Sequence, residues 1–127
     1  MLKEIEFLKR QSLKAYDVAK KAFDDENYNW SIFLLEQAIQ LLIKYLLALK
    51  IGYYSKTHRL SELFEEISEI CPECYEFYLR NRDKFTVIED SYIFSRYLGK
   101  EYKREDVENK FELFEKLRRI VEKHESC

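Results

Sequence analysis

The sequence predicts an all-α protein, an up-and-down antiparallel bundle of about five helices in a single domain spanning residues 1–127. Three observations carry this. Only two Gly and one Pro leave little room for hairpins. A charged fraction of 36% beside an apolar fraction of 46% suits amphipathic helices with ion-paired outer faces. The run Asn27–Gly52 reads as one long helix that the rest of the chain must cover.

In chain order, Ile5, Leu8, Ser12, Ala15, Ala19 and Ala22 recur at spacings of three and four over a first helix, about Lys3–Phe23. Small residues dominate its second half, so a neighbouring helix can approach closely there. Asp24–Asn27 is a polar turn, and Asn27 or Asn29 is placed to cap the second helix. That helix stacks Ile32, Leu35, Ala38, Ile39, Leu42, Leu46 and Leu49 on one face and ends at Gly52. A short connection makes it antiparallel to the first. At about 100° per residue, Glu36, Gln37, Gln40 and Lys44 fall within an arc of about 100°, as the helix's only polar function. A helix this apolar is either central in a bundle or shared with a partner chain, and its breadth leads us to expect a homodimer.

Thr57 reads as the N-cap of a third helix carrying Leu60, Leu63, Phe64 and Ile67. Cys71-Pro72 ends it, and Pro72 opens a fourth helix to about Asn81. Residues 84–93 have a β-like composition, yet a lone strand would have no partner, so helix is chosen by elimination. A loop surrounds Gly99. A last helix, Glu105–His124, puts Val107, Phe111, Phe114, Leu117 and Val121 on one stripe, with charged residues including Lys110 mostly off it.

A net charge of −2 gives no global attraction to nucleic acid or an anionic membrane. The N-terminus is charged from Lys3 onward, unlike a secretory leader, and Glu36 and Lys44 argue against a membrane span. Three Cys without a secretion signal indicate a reducing, cytoplasmic setting, and abundant Lys, Glu, Tyr and Ile hint at a thermophile source. No internal repeat, P-loop or nucleophile elbow is present. Cys71-Pro72-Glu73-Cys74 lacks the further ligands of a zinc site and the βα context of a redox motif, so it reads as two thiols flanking a helix start. Neither metal nor cofactor is expected.

Three patches carry a family resemblance. Tyr28-Asn29-Trp30 with Glu36-Gln37-Ala38-Ile39, Lys44 and Leu47 resembles the long second helix of HEPN domains. Thr57-His58-Arg59-Leu60 with Leu63 is similar to that family's Thr-His-x-Leu start of its third helix. Ser91–Tyr97 is similar to its Tyr-x-x-x-Arg-Tyr segment before the last helix. The resemblance implies a helical bundle that often dimerises and that handles nucleotides or RNA. It implies, for many members, pairing with a minimal nucleotidyltransferase in a toxin–antitoxin-like unit. This chain is not that transferase, since no Gly-Ser turn precedes paired aspartates. Other members are metal-independent ribonucleases that place an arginine and, four to six residues on, a histidine at the dimer cleft. Arg96 matches the arginine, but residues 97–102 contain no histidine.

The candidate chemistry follows. Gln37, Gln40 and Lys44, beside Glu36, form either a nucleotide-contacting stripe or a solvated face with a Gln40–Lys44 pair. Arg96 with Tyr92 and Tyr97 offers bidentate phosphate binding and base stacking, or else a carboxylate bridge holding the loop. As catalytic alternatives, Arg96 or Arg119 could act with His58 or His124, arginine neutralising phosphate and histidine moving a proton. Arg119–His124 spells the spacing but reads first as a frayed, charged C-terminal turn, and His58 reads first as a structural residue at a helix start. The preferred reading is a non-catalytic module that dimerises and holds a nucleotide for a separate nucleotidyltransferase chain. An endoribonuclease toxin is the alternative, and a purely structural oligomerisation domain the third.

Overall fold

Residues 2–126 are described by a computed structural model. The order is α1 (Leu2–Asp24), α2 (Tyr28–Ile51), α3 (Leu60–Ile67), α4 (Pro72–Arg80), α5 (Arg82–Phe94), α6 (Arg104–Glu108) and α7 (Phe111–His124), with no strand among the described residues. Met1 and Cys127, of which the thiol count above uses the second, lie outside them.

α1 and α2 form the antiparallel pair at the centre. Ser12 Oγ donates to Ala38 O at 2.6 Å and Ser31 Oγ donates to Ala19 O at 2.8 Å. The two bonds lie seven residues apart on each helix, in opposite directions, and so fix one register. Ser12 and Ala19 are fully buried, and Ala19 lies in the second half of α1, where the small residues predicted close approach. α2 is the central helix. Ile32, Leu35, Ala38, Ile39, Leu42, Ile43, Leu46 and Leu47 have no exposed surface. By length and composition α2 could cross a membrane, yet it packs against α1, α3, α5, α6 and α7. The apolar breadth that suggested a partner chain is thus consumed inside the chain's own core. Gly52, at φ 82°, closes α2 by donating its N–H to Ala48 O at 2.9 Å.

Several local expectations are corrected. Neither Asn27 nor Asn29 caps α2 through its side chain. Asn27 occupies the cap position without such a bond, and Asn29 is drawn away to a distant loop. The third helix begins at Leu60, not Thr57. Thr57 still serves its first turn, because its Oγ1 accepts from Arg59 N at 3.1 Å and donates to Glu62 at 2.6 Å. The stretch assigned to helix by elimination is α5. It is separated from α4 at Asn81, whose backbone leaves helical geometry and whose Nδ2 donates to Phe77 O at 3.0 Å.

The expected last helix is two. The chain turns at Asn109–Lys110, and Lys110 is buried rather than off the stripe, its ammonium donating to Asp106 O and Asn109 Oδ1. The C-terminal turn is not frayed. Glu125 accepts from Lys9 Nζ and Tyr45 Oη, both at 2.6 Å, which pins the end of α7 to α1 and α2.

Ala19→Leu inserts a branched side chain where α1 and α2 touch. Overpacking of this kind typically costs about 1–3 kcal/mol. A lowered urea midpoint with an unchanged slope is expected, and an unaltered midpoint would contradict the close approach.

Candidate functional site

The polar stripe of α2 is not a solvated face. Glu36 is completely buried, Gln40 is 4% exposed and Lys44 9%. The segment 53–59 and α5 cover it. Gln40 Nε2 donates to Glu36 Oε2 at 2.5 Å and to His58 O at 3.3 Å, while Gln37 Nε2 donates to Glu36 Oε1 at 2.8 Å. Gln40 therefore pairs backward with Glu36, not forward with Lys44, whose ammonium lies 5.6 Å from the centre of the Tyr54 ring. Burial pushes the Glu36 carboxyl up to about 7 against the opposing amide bonds, and nearby Glu89 adds to the rise. Burial lowers the Lys44 ammonium, with Glu36 and Glu66 opposing. Glu89 has a structural duty, since its Oε1 accepts from Ser61 N at 2.8 Å and caps the first turn of α3 from α5.

Arg96 follows the end of α5. Its Nε donates to Tyr92 O at 3.0 Å. Its guanidinium carbon stands 4.5 Å from the Tyr92 ring centre, 4.6 Å from Phe33 and 4.8 Å from Tyr97. Such contacts attract the cation to the ring faces and hold its plane. No carboxylate among the described residues pairs with Arg96. The carboxylate bridge considered from sequence is therefore absent there, and the outer guanidinium edge is open to an anion.

His58 stacks on the same Tyr92 ring, with centroids 4.8 Å apart and planes 20° from parallel. It makes this ring contact rather than capping α3. The fold thus gathers His58, Tyr92 and Arg96 from two separated stretches. His58 and Tyr92 line a 630 Å³ cleft whose walls include Thr57, Arg59 and Glu89. Arg96, on the Tyr92 ring, stands at its edge and lines a second, 300 Å³ hollow with Asn29, Trp30 and Phe33. Gln37, Gln40 and Glu36 lie behind the His58 backbone as supports, not as an open contact stripe.

Arg119 and His124 are elsewhere. Five residues apart on one helix, they project about 140° from each other. His124 is turned toward α4, its Nδ1 2.9 Å from Ile120 O and its Nε2 3.9 Å from Glu73. They sit at the end of the bundle near Tyr45, whereas Arg96 packs on Phe33, about 18 Å away along α2.

Sequence reading missed Asn29, Trp30, Phe33 and Glu89 as parts of this site. Asn29 positions the Arg96 loop, donating to Ser95 O at 3.2 Å and Lys100 O at 2.7 Å and accepting from Tyr102 N at 2.8 Å. The available signal was Phe33, an aromatic off the core stripe of α2. Trp30, 57% exposed, meets Phe33 edge-on at 5.7 Å.

A central apolar helix with a covered polar stripe, a Thr-His corner and an arginine after the fifth helix defines a class of helical-bundle domain. The family model described as "HEPN domain" matches residues 5–124, and the chain belongs to that family. The family is associated in general with nucleotides and RNA. The crystal structure of the protein TT1696 from Thermus thermophilus is similar, with a TM-score of 0.77 at 21% identity, covering 94% of this chain and 97% of that one. At that identity it bears on the fold alone. Among curated proteins, none matches the sequence significantly.

Glu36 gives a pH prediction. Its folded value, about 7, lies above the ordinary 4.5, so its stabilising protonation is complete below about 4.5 and lost as pH rises through 7. Glu36→Gln keeps a neutral side chain at every pH. Urea unfolding should show the variant gaining on the wild type between pH 5 and pH 8, on the order of 1–3 kcal/mol. A difference constant with pH would show that Glu36 is ionised throughout.

Proposed function

We propose that this chain is a cytoplasmic nucleotide-binding and assembly module. In this reading it forms a homodimer and holds a nucleotide or RNA phosphate for a separate minimal nucleotidyltransferase chain, as half of a toxin–antitoxin-like pair. The observation that carries it is Arg96: an exposed cation with an open edge, held on three aromatic rings at the edge of a cleft. Guanidinium binds phosphate through two parallel N–H donors, and a neighbouring aromatic face stacks on any base. The transferase partner rests on the family's habit of being encoded beside one. The dimer now rests on a different surface from the one sequence suggested, the exposed Trp30, Ile93, Tyr97 and Leu98 around the cleft.

Loss of a hydrogen-bonded Arg–phosphate contact costs about 1.5–3 kcal/mol, so Arg96→Ala should weaken nucleotide binding about tenfold or more, measured by titration calorimetry over a nucleotide panel. His124→Ala should leave binding unchanged. Equal affinity in Arg96→Ala and wild type would remove the proposed site.

A second reading, the endoribonuclease, is favoured by one observation: His58 and Arg96 share Tyr92. Proton transfer and phosphate neutralisation are the two functions such a cut requires. Our reading expects RNA to remain intact with the purified protein and a chelator. Cleavage abolished by His58→Ala would replace it with the ribonuclease. Sedimentation at micromolar concentration should give about twice the chain's 15.6 kDa. A monomer at every concentration would exclude any site shared across a dimer.

A further inference from the structure

Cys71 and Cys74 stand on the first turn of α4, far from the Arg96 cleft. Cys71 is the N-cap residue, and Pro72 occupies the first helical position with its fixed φ. Cys71 Sγ accepts the backbone N–H of Cys74 at 3.3 Å. The sequence reading had the two thiols flanking a helix start. The structure turns them toward each other, with sulfurs 2.8 Å apart and both side chains fully buried. A disulfide bond is about 2.05 Å long, so closure needs only about 0.8 Å of movement. No other cysteine among the described residues is available to compete.

We propose that Cys71 and Cys74 are a redox pair which a small hydroperoxide converts reversibly into an intramolecular disulfide across the first turn of α4. Cys71 is the nucleophile. The hydrogen bond from the Cys74 thiol lowers the Cys71 thiol to about 6; the backbone N–H of Cys74 and the nearby His124 ring act in the same direction. Cys74 is raised for the converse reason, because its proton is held against the Cys71 sulfur and its side chain is buried. The Cys71 thiolate attacks the terminal peroxide oxygen, forming an S–O bond as the O–O bond breaks, and the released alkoxide or hydroxide takes up a proton. Cys74 sulfur then attacks the sulfenic sulfur. The S–S bond forms, the S–O bond breaks, and the departing hydroxide leaves as water with the Cys74 proton. Two thiols thereby lose two electrons to one hydroperoxide, which becomes an alcohol, or water in the case of hydrogen peroxide, together with one water. Burial slows entry of bulky reagents, while the adjacent partner thiol makes closure outrun any second encounter.

The test uses the full chain, reduced, desalted and exposed to hydrogen peroxide, then alkylated under denaturing conditions. The three cysteines of the reduced protein should accept three alkyl groups. The oxidised protein should accept one, at Cys127, with the mass of two hydrogens lost, a peptide joining Cys71 to Cys74, and full recovery on reduction by dithiothreitol. Cys71→Ser keeps a stronger N-cap and therefore the fold, and should slow peroxide-driven loss of the Cys74 thiol at least about tenfold. Cys74→Ser should stop at a sulfenic acid on Cys71 that dimedone captures. A disulfide to Cys127, irreversible sulfinic acid at Cys71, equimolar zinc in the protein as isolated, or a Cys71→Ser rate equal to the wild type would each overturn the proposal.

Discussion

Everything in this bundle is arranged around the close contact of α1 with α2. Ser12 and Ala19 are small enough for the two backbones to approach, and each pairing is locked by a hydroxyl donating to a carbonyl of the other helix. A carbonyl bonded within its helix retains a second lone pair, so these bonds add to the helical ladder without breaking it. Once α2 lies in that groove, its remaining apolar surface must be covered. α3, α5, α6 and α7 do so from the other sides, with Phe64, Phe85 and Phe114 fully buried among them. Burial of this kind contributes about 25 cal/mol per Å² of apolar surface, and it is where most of the stability of such a bundle resides.

The polar stripe of α2 follows the same constraint. Covering the helix means covering Glu36, and a buried carboxylate is costly unless hydrogen-bonded or neutral. Gln37 and Gln40 supply the bonds, and the upward shift of its titration supplies the neutrality. The second bond of Gln40, to the His58 carbonyl, ties the 53–59 segment down over the stripe. Glu89 then caps α3 from α5. These bonds set the relative positions of α3 and α5, and so bring the His58 ring onto Tyr92. The open cleft is the outer surface of an assembly whose inner surface satisfies a buried acid.

Arg96 depends on a second polar anchor. Asn29 holds three backbone groups of the 95–102 loop against the start of α2. That fixes the guanidinium over Phe33, Tyr92 and Tyr97 without spending its charge on a carboxylate. The opposite end of the molecule uses its charges structurally. Lys9, Tyr45 and Glu125 join α1, α2 and α7 there, and His124 belongs to that end. The two histidines therefore serve different neighbourhoods, and only His58 shares one with Arg96.

Local pattern, of composition, periodicity and the placement of Gly and Pro, established the helical class, the two long helices, the stripes of α3 and α7, Gly52 as the stop of α2 and Pro72 at the start of α4, because each depends on residues within a turn or two. It also indicated the half of α1 that α2 approaches, through small residues at helical spacing, of which Ala19 is fully buried. The resemblance of Ser91–Tyr97 to the family's Tyr-x-x-x-Arg-Tyr segment named Arg96, Tyr92 and Tyr97 as a group, which is close in sequence. Tertiary structure decided what lay beyond that range. Whether Glu36 and Gln40 met water or protein depended on a loop some twenty residues on. Asn29 reads equally as a cap or a loop anchor until Ser95 and Lys100 come within reach. Lys110 looks like a surface lysine until a break in the helix turns it inward. The meeting of His58 with Tyr92, thirty-four residues away, has no local signature, because stacking rings carry no spacing rule across separate helices.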